Sequence, residues 1–242
     1  MNNKGKKRVL VIPDTQEPFG HQDAIAFLTW VKKKYRPDVV VHAGDEVDFH
    51  ALGDWDHDPD GYSAGHELEA ALERLKLYYK LFPKVKACRS NHTDRPLRRA
   101  FKAGIPKAFL KDYKEFLRAP KGWEWADQHE IDGVVYEHGE GFSGYNGALN
   151  CAQKNGKPTV IGHIHSHAGI LYSANSKDII YGFNVGCLID RHKYAFRYGK
   201  NHRYKPILGV GIVNKGVPMF VPMLLDRSGR WVGRKRKKGT QR

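Results

Sequence analysis

Five short polar blocks follow one another along the chain, and each carries side chains able to hold a divalent cation. They are Asp14-Thr15-Gln16, Gly44-Asp45-Glu46-Val47-Asp48, Ser90-Asn91-His92-Thr93-Asp94, His138 within Tyr-Glu-His-Gly-Glu, and Gly162-His163-Ile164-His165. Carboxylate, amide oxygen and imidazole together suit Mn²⁺, Fe²⁺ or Zn²⁺. None of the three cysteines, Cys88, Cys151 and Cys187, stands in a block. A pair of cations roughly 3.5–4 Å apart needs a carboxylate that reaches both. Asp45, in the middle of the set, is the natural bridge. Each residue has a structural alternative. Asp14 and Asp45 suit helix caps, and a lone histidine such as His138 is commonly a packed or surface residue. His163 and His165 share one face of a strand if the strand continues through them, and His167 on that face competes with His165.

The elements that must position these blocks read as alternating strands and helices. Residues 8–12 (RVLVI), 38–42 (DVVVH) and 84–88 (KVKAC) are short apolar runs, read as buried strands. Residues 23–35 and about 65–80 repeat apolar side chains at helical spacing, with Ala24, Phe27, Leu28, Val31 and Tyr35 on one face and Leu68, Leu72, Leu75 and Tyr79 on the other helix. Strand-helix-strand-helix-strand predicts a parallel α/β core. The first three blocks each follow a strand, and sites in such sheets form beyond the carboxyl ends of the strands. Residues 95–121 read as helix broken by Gly104 and Pro106. Beyond 131–136 the pattern turns to strands, at 158–161, 168–173, 179–185, 206–213 and 217–224, with one helix at about 145–155.

In this order the blocks resemble the calcineurin-like metallophosphoesterase superfamily, whose pattern runs D-x-H, G-D-x-x-D, G-N-H-[DE], a lone His, then G-H-x-H. Asn184-Val185-Gly186 is similar to that family's N-P-G stretch. The resemblance implies a four-layer α/β/β/α sandwich with mixed sheets over residues 8–226. It implies two divalent metal ions, Mn²⁺ first, with Fe²⁺, Zn²⁺ and Ni²⁺ as alternatives. One would be held by Asp14, Gln16, Asp45 and His165, the other by Asp45, Asn91, His138 and His163. Hydroxide generated at the metals would attack phosphorus in line. His92 would protonate the leaving oxygen, with Asp48 orienting it. Arg95, Asn91 and His92 are the expected substrate contacts. Three positions depart from the pattern. Gln16 stands where His is usual, as in similar phage-encoded members, and ligates only through a carbonyl oxygen, a weaker donor than imidazole. Ser90 replaces a glycine. Phe49 stands where the Ser/Thr protein phosphatases of the superfamily carry Arg.

The net charge of +15 sits mainly at the ends. Residues 4–8 and 227–242 carry twelve positive charges and no negative ones, so 1–7 reads as a basic arm and 227–242 as a basic tail. Within the body, residues 95–121 hold nine Lys/Arg against two acids, and 190–205 interleave basic groups with Tyr194, Phe196, Tyr198 and Tyr204. Such stretches suit a phosphate backbone and stacked bases; the alternative is solvated surface. Residues 56–67 match the calcium-loop pattern D-x-D-x-D-G-x₅-E, but no entering helix precedes them, and Pro59 and Ser63 sit awkwardly within it. No apolar run reaches the ~18 residues needed to span a bilayer, and the start of the chain lacks a signal-peptide pattern. Reduced thiols and a cytoplasmic location are expected. The functional expectation is a phosphodiesterase acting on nucleic acid. The alternatives are a phosphomonoesterase or small-nucleotide phosphodiesterase, and a non-catalytic metal-binding module.

Overall fold

The computed structural model describes residues 5–54, 59–190, 192–193 and 205–234. β1 (Arg8–Ile12), β2 (Val39–His42), β3 (Lys84–Cys88) and β4 (Gly122–Ala126) run parallel. β10 (Gly209–Asn214) adds antiparallel to β1, and β11 (Val217–Pro222) to β10, giving the order β11-β10-β1-β2-β3-β4. β5 (Gln128–Ile131), β6 (Val134–Glu137), β7 (Thr159–Ile161), β8 (Gly169–Ala174) and β9 (Ile179–Asn184) form a second mixed sheet in the order β5-β6-β7-β9-β8.

Alternation along the strands builds the layers. Leu10 and Ile12 of β1 pack on α1 (Ala24–Tyr35) and α2 (Ala64–Leu81) through Phe27, Leu28, Val31, Leu75 and Tyr78. Val9 and Val11 point the other way and meet Tyr136, Val160 and Phe183 of the second sheet. The far face of that sheet is covered by α5 (Gly147–Asn155), through Ala148, Cys151 and Ile161. Helices, sheet, sheet and helix therefore stack in four layers, because period-two side chains must be buried on both sides of each sheet. α5 lies against β9 with no room for a side chain: a Cβ at Gly182 would come within 2.2 Å of the Ala148 backbone. We predict that Gly182→Ala costs about 1–3 kcal/mol by overpacking. That should lower the melting midpoint by roughly 2–10 °C, read by thermal denaturation; an unchanged midpoint would contradict this close approach.

The boundaries differ from the sequence expectation in three places. Residues 131–136 belong to a β5–β6 hairpin, and the fourth parallel strand, β4, was not expected. The broken helix at 95–121 resolves into α3 (Arg95–Lys102), a 3-10 turn at Lys107–Phe109 and α4 (Tyr113–Phe116). Packing continues beyond residue 226. Trp231 lies edge-on to Phe27 and Trp30, and Arg230 pairs with Asp23 at 2.6 Å. The hydrogen bond from Arg230 is the largest cause holding the Asp23 carboxyl down at about 2. The rest of the basic tail, 235–242, and residues 1–4 of the arm lie outside the described residues. The three cysteines are free and buried. Among the described residues no helix is long and apolar enough to cross a membrane.

Candidate metal centre

The parallel strands of both sheets deliver the polar blocks to one edge. Asp14 follows β1, Asp45 follows β2 and Asn91 follows β3; His138 follows β6, and His163 and His165 follow β7. There the side chains meet. His165 Nε2 is 2.8 Å from Asp14 Oδ2, and the His163 N–H donates to the Asp14 carboxylate at 3.1 Å. His163 Nδ1 is 3.1 Å from His138 Nε2, which is 2.7 Å from Asn91 Oδ1 and 3.4 Å from Asp45 Oδ2. Gln16 Nε2 donates to Asp45 Oδ2 at 3.4 Å. All seven ligand-type residues expected from sequence are thus linked to one another. Ligand atoms of Asp14, Asp45 and His165 lie within 4.8 Å of one another.

Local backbone shape explains the placement. Gln16, Asp45, Phe49 and His163 adopt positive φ of 43°, 51°, 50° and 65°. Such strained residues gather where the surrounding structure fixes them. His163 and His165 lie on the loop beyond β7, not on a strand face as expected, and the turn at His163 brings both inward. Gly162 is required because a Cβ there would sit 2.2 Å from Asp14 Oδ1. Ser90, at the departure from glycine, accepts the Asp45 N–H at 2.7 Å and so pins the middle carboxylate.

The charges are mutually dependent. Burial acts to raise the Asp45 pKa, but the His138 and His92 charges outweigh it and the carboxylate is held low. Burial acts to lower His138, yet the Asp45 and Asp14 charges leave it raised. His163 is lowered, first by burial and then by His138. His138 Nδ1 donates to the Ala43 carbonyl at 2.9 Å, which turns Nε2 toward the cluster. A carbonyl held on the second ring nitrogen is the usual way a ligating imidazole is oriented. Gln16 supplies a separate test of fit. Its side chain is fully buried, and among the described residues no donor reaches Oε1. A buried carbonyl without a partner costs about 1–3 kcal/mol. A cation beside Asp14, Asp45 and His165 would satisfy it, and the oxygen and nitrogen donors match Mn²⁺-, Fe²⁺- or Zn²⁺-type ions.

Beside this cluster, His92 Nδ1 is 2.6 Å from Asp48 Oδ1, and the His92 N–H donates to Asp45 Oδ1 at 3.1 Å. Burial pulls the His92 pKa down, but Asp45 and the Asp48 hydrogen bond more than offset it, so the pKa is raised. Arg95 donates to the Asp48 carbonyl at 2.7 Å and lies 3.2 Å from His92 Nε2. Its guanidinium braces the Asp48–His92 pair, where the sequence expectation was a substrate contact. A protonated His92 and Arg95 cannot both donate across that gap, so Arg95 must yield when Nε2 carries a proton.

Several supporting residues carried no sequence signal. Glu46 is buried, accepts from Trp125 Nε1 at 2.8 Å and Thr93 Oγ1 at 2.9 Å, and is pushed up to about 7, chiefly by burial. It ties the Asp45 and His92 loops together. Glu17 joins Arg74 and the Tyr78 hydroxyl, which fixes the Gln16 loop to α2. His167 turns away, bonding Ser166 at 2.9 Å and packing edge-on to Tyr145. Of the calcium-like loop, residues 56–58 lie outside the described residues. Glu67, its last position, accepts from the His50 and Ala51 N–H groups at 2.7 and 2.9 Å, so its oxygens serve a backbone turn.

Comparison with known proteins adds the family. Among solved structures the chain is similar to Yfce, a phosphoesterase from E. coli, at 14% identity, covering 93% of this chain and 96% of that one with a TM-score of 0.46. It is similar to a metallophosphoesterase from Sphaerobacter thermophilus at 15% identity, 90% and 88% coverage and a TM-score of 0.44. A third likeness is to Vps29 from Chaetomium thermophilum, at 10% identity, 93% and 92% coverage and a TM-score of 0.46. Likenesses this distant say nothing of substrate. No curated protein matches. The family model for calcineurin-like phosphoesterase matches residues 7–167, the span that holds all five polar blocks. The chain belongs to the calcineurin-like phosphoesterases and is a metal-dependent hydrolase of phosphoric esters.

Proposed function

We propose that this protein hydrolyses phosphodiester bonds of nucleic acid at a two-cation centre. Asp14, Gln16, Asp45 and His165 would hold one ion, and Asp45, Asn91, His138 and His163 the other, with Mn²⁺ as the native metal. When bound, the cations supply positive charge that polarises the phosphoryl group and activates water. The chain's own residues do the rest. Asp48 holds the His92 imidazole by Nδ1, leaving Nε2 to deliver a proton to the departing oxygen. Asn91, 2.7 Å from His138 Nε2, would also contact the phosphate.

One observation favours a polymeric substrate. α3 starts at Arg95, in contact with His92, and leads to an exposed rim at residues 101–109. Phe109 is 80% and Phe101 53% exposed there, with Lys107 and Lys111 beside them. Exposed rings next to cations suit stacked bases and a phosphate backbone. The arginines of this stretch contribute less than their number suggests. Arg98 pairs with Glu140, Arg99 with Asp54 and Arg118 with Glu69. The other expected basic-aromatic stretch, 190–205, lies almost wholly outside the described residues.

The test combines two assays. Bis-p-nitrophenyl phosphate should be hydrolysed faster than p-nitrophenyl phosphate. Phe101→Ala/Phe109→Ala should weaken binding of a single-stranded oligonucleotide in EDTA by about tenfold, on the scale of losing one or two stacked bases. Hydrolysis of the small diester should be unchanged. A wild type that binds no oligonucleotide, or that prefers the monoester, would sink this reading.

A further inference from the structure

The donors around the centre fall into two unequal groups. Asp14, Asp45 and Gln16 offer three oxygens with one imidazole, His165; Asp45 and Asn91 offer two oxygens with two imidazoles, His138 and His163. The difference is Gln16. Its Nε2 faces the Asp45 carboxylate, which can only accept, so the amide orientation is set by chemistry. A second contact of Nε2, 3.4 Å from His92 Nδ1, is not a competing bond, because Nδ1 engages Asp48 at 2.6 Å. Oε1 is therefore the atom left with lone pairs and no donor among the described residues, in a side chain closed off from the surface. A cation within the cluster would satisfy it.

We infer that Gln16 is a metal-selectivity residue: it makes the Asp14/His165 side of the centre an oxygen-rich site that is the weaker of the two and discriminates less in favour of Zn²⁺ over Mn²⁺. This rests on the two-cation reading above. Carboxylate and carbonyl oxygens suit Mn²⁺ and Mg²⁺, whereas imidazole favours Zn²⁺, Fe²⁺ and Ni²⁺. Histidine at position 16 would equalise the two groups. With Gln16 in place, the enzyme would fill its imidazole-rich side first and exchange the ion on the Gln16 side more readily.

Calorimetric titration of the metal-stripped full chain with Zn²⁺ and, separately, Mn²⁺ reads this without activity. The wild type should take up two Zn²⁺ in resolved steps. Gln16→His should tighten the weaker Zn²⁺ step by at least about tenfold, no less than a change in a ligand's partner produces, and tighten the matching Mn²⁺ step less. The tighter step should stay within about twofold. Gln16→Asn, which withdraws the oxygen by one methylene, should weaken the weaker step for both ions, and its melting curve shows whether the fold survives. Equal effects on both steps, or equal tightening for Zn²⁺ and Mn²⁺ in Gln16→His, would overturn the inference while leaving the two-cation centre intact. A wild type that binds fewer than two ions would instead overturn the reading on which it rests.

Discussion

Asp45→Asn should abolish phosphodiester hydrolysis, by about a thousandfold or more, and strip bound metal from the protein. The scale follows from losing a charge that stabilises reacting groups inside a water-poor site. Asp45 is buried, and its carboxylate is contacted by the His92 N–H, Gln16 Nε2 and His138 Nε2. Among the described residues it is the side chain in contact with both donor groups, through Gln16 on one side and His138 on the other. Asparagine keeps the shape and the backbone bonds to Thr15 and Gln16, which use the Asp45 carbonyl. The melting curve should therefore stay cooperative while the metal is lost. Metal analysis of the purified variant is the decisive measurement. Two ions retained per chain would remove Asp45 as the bridge, whatever happened to the rate.

His92→Ala should leave the metal content unchanged and lower turnover by about 10²–10⁴-fold, the range for removing a general acid. The loss should depend on the leaving group. A p-nitrophenolate departs without a proton, so bis-p-nitrophenyl phosphate should suffer least, and an oligonucleotide, which releases an alkoxide, most. The pH profile gives a second readout. The hydrogen bond that Asp48 makes with Nδ1 favours the protonated imidazole of His92. Wild-type turnover should then fall on the alkaline side as that proton is lost. The variant should lack this limb. Equal losses for both leaving groups would assign the His92 imidazole, 3.9 Å from the Asp45 carboxylate, to positioning or charge balance at the centre rather than to proton delivery.

Much of this centre was legible from residue types and order. Short apolar strands, each followed by a polar block, already placed Asp14, Asp45 and Asn91 on one sheet edge, because parallel strands deliver their carboxyl ends to the same side. The helical faces of α1 and α2 were equally plain, since Phe27, Leu28, Val31, Leu72 and Leu75 repeat at helical spacing and are buried. β4 was missed because Gly122, Glu124 and the two tryptophans show no run of aliphatic residues. Trp123 is instead buried by long-range contacts with Tyr79 and the Phe82 carbonyl. The basic tail was drawn too long, since charge density gave no hint that Trp231 docks on Phe27 and Trp30.

The sequence by itself determined the chemistry: which donors exist, their order, and the strand ends that carry them. Local periodicity and side-chain type are properties of a few neighbouring residues, and they survive in one dimension. Only the tertiary structure decided how those groups are used. It turned Arg95 onto Asp48 and His92, paired Arg98 with Glu140 across 42 residues, and left the Gln16 oxygen buried without a donor. Pairings of that kind depend on distances set by two packed sheets, and no spacing along the chain encodes them.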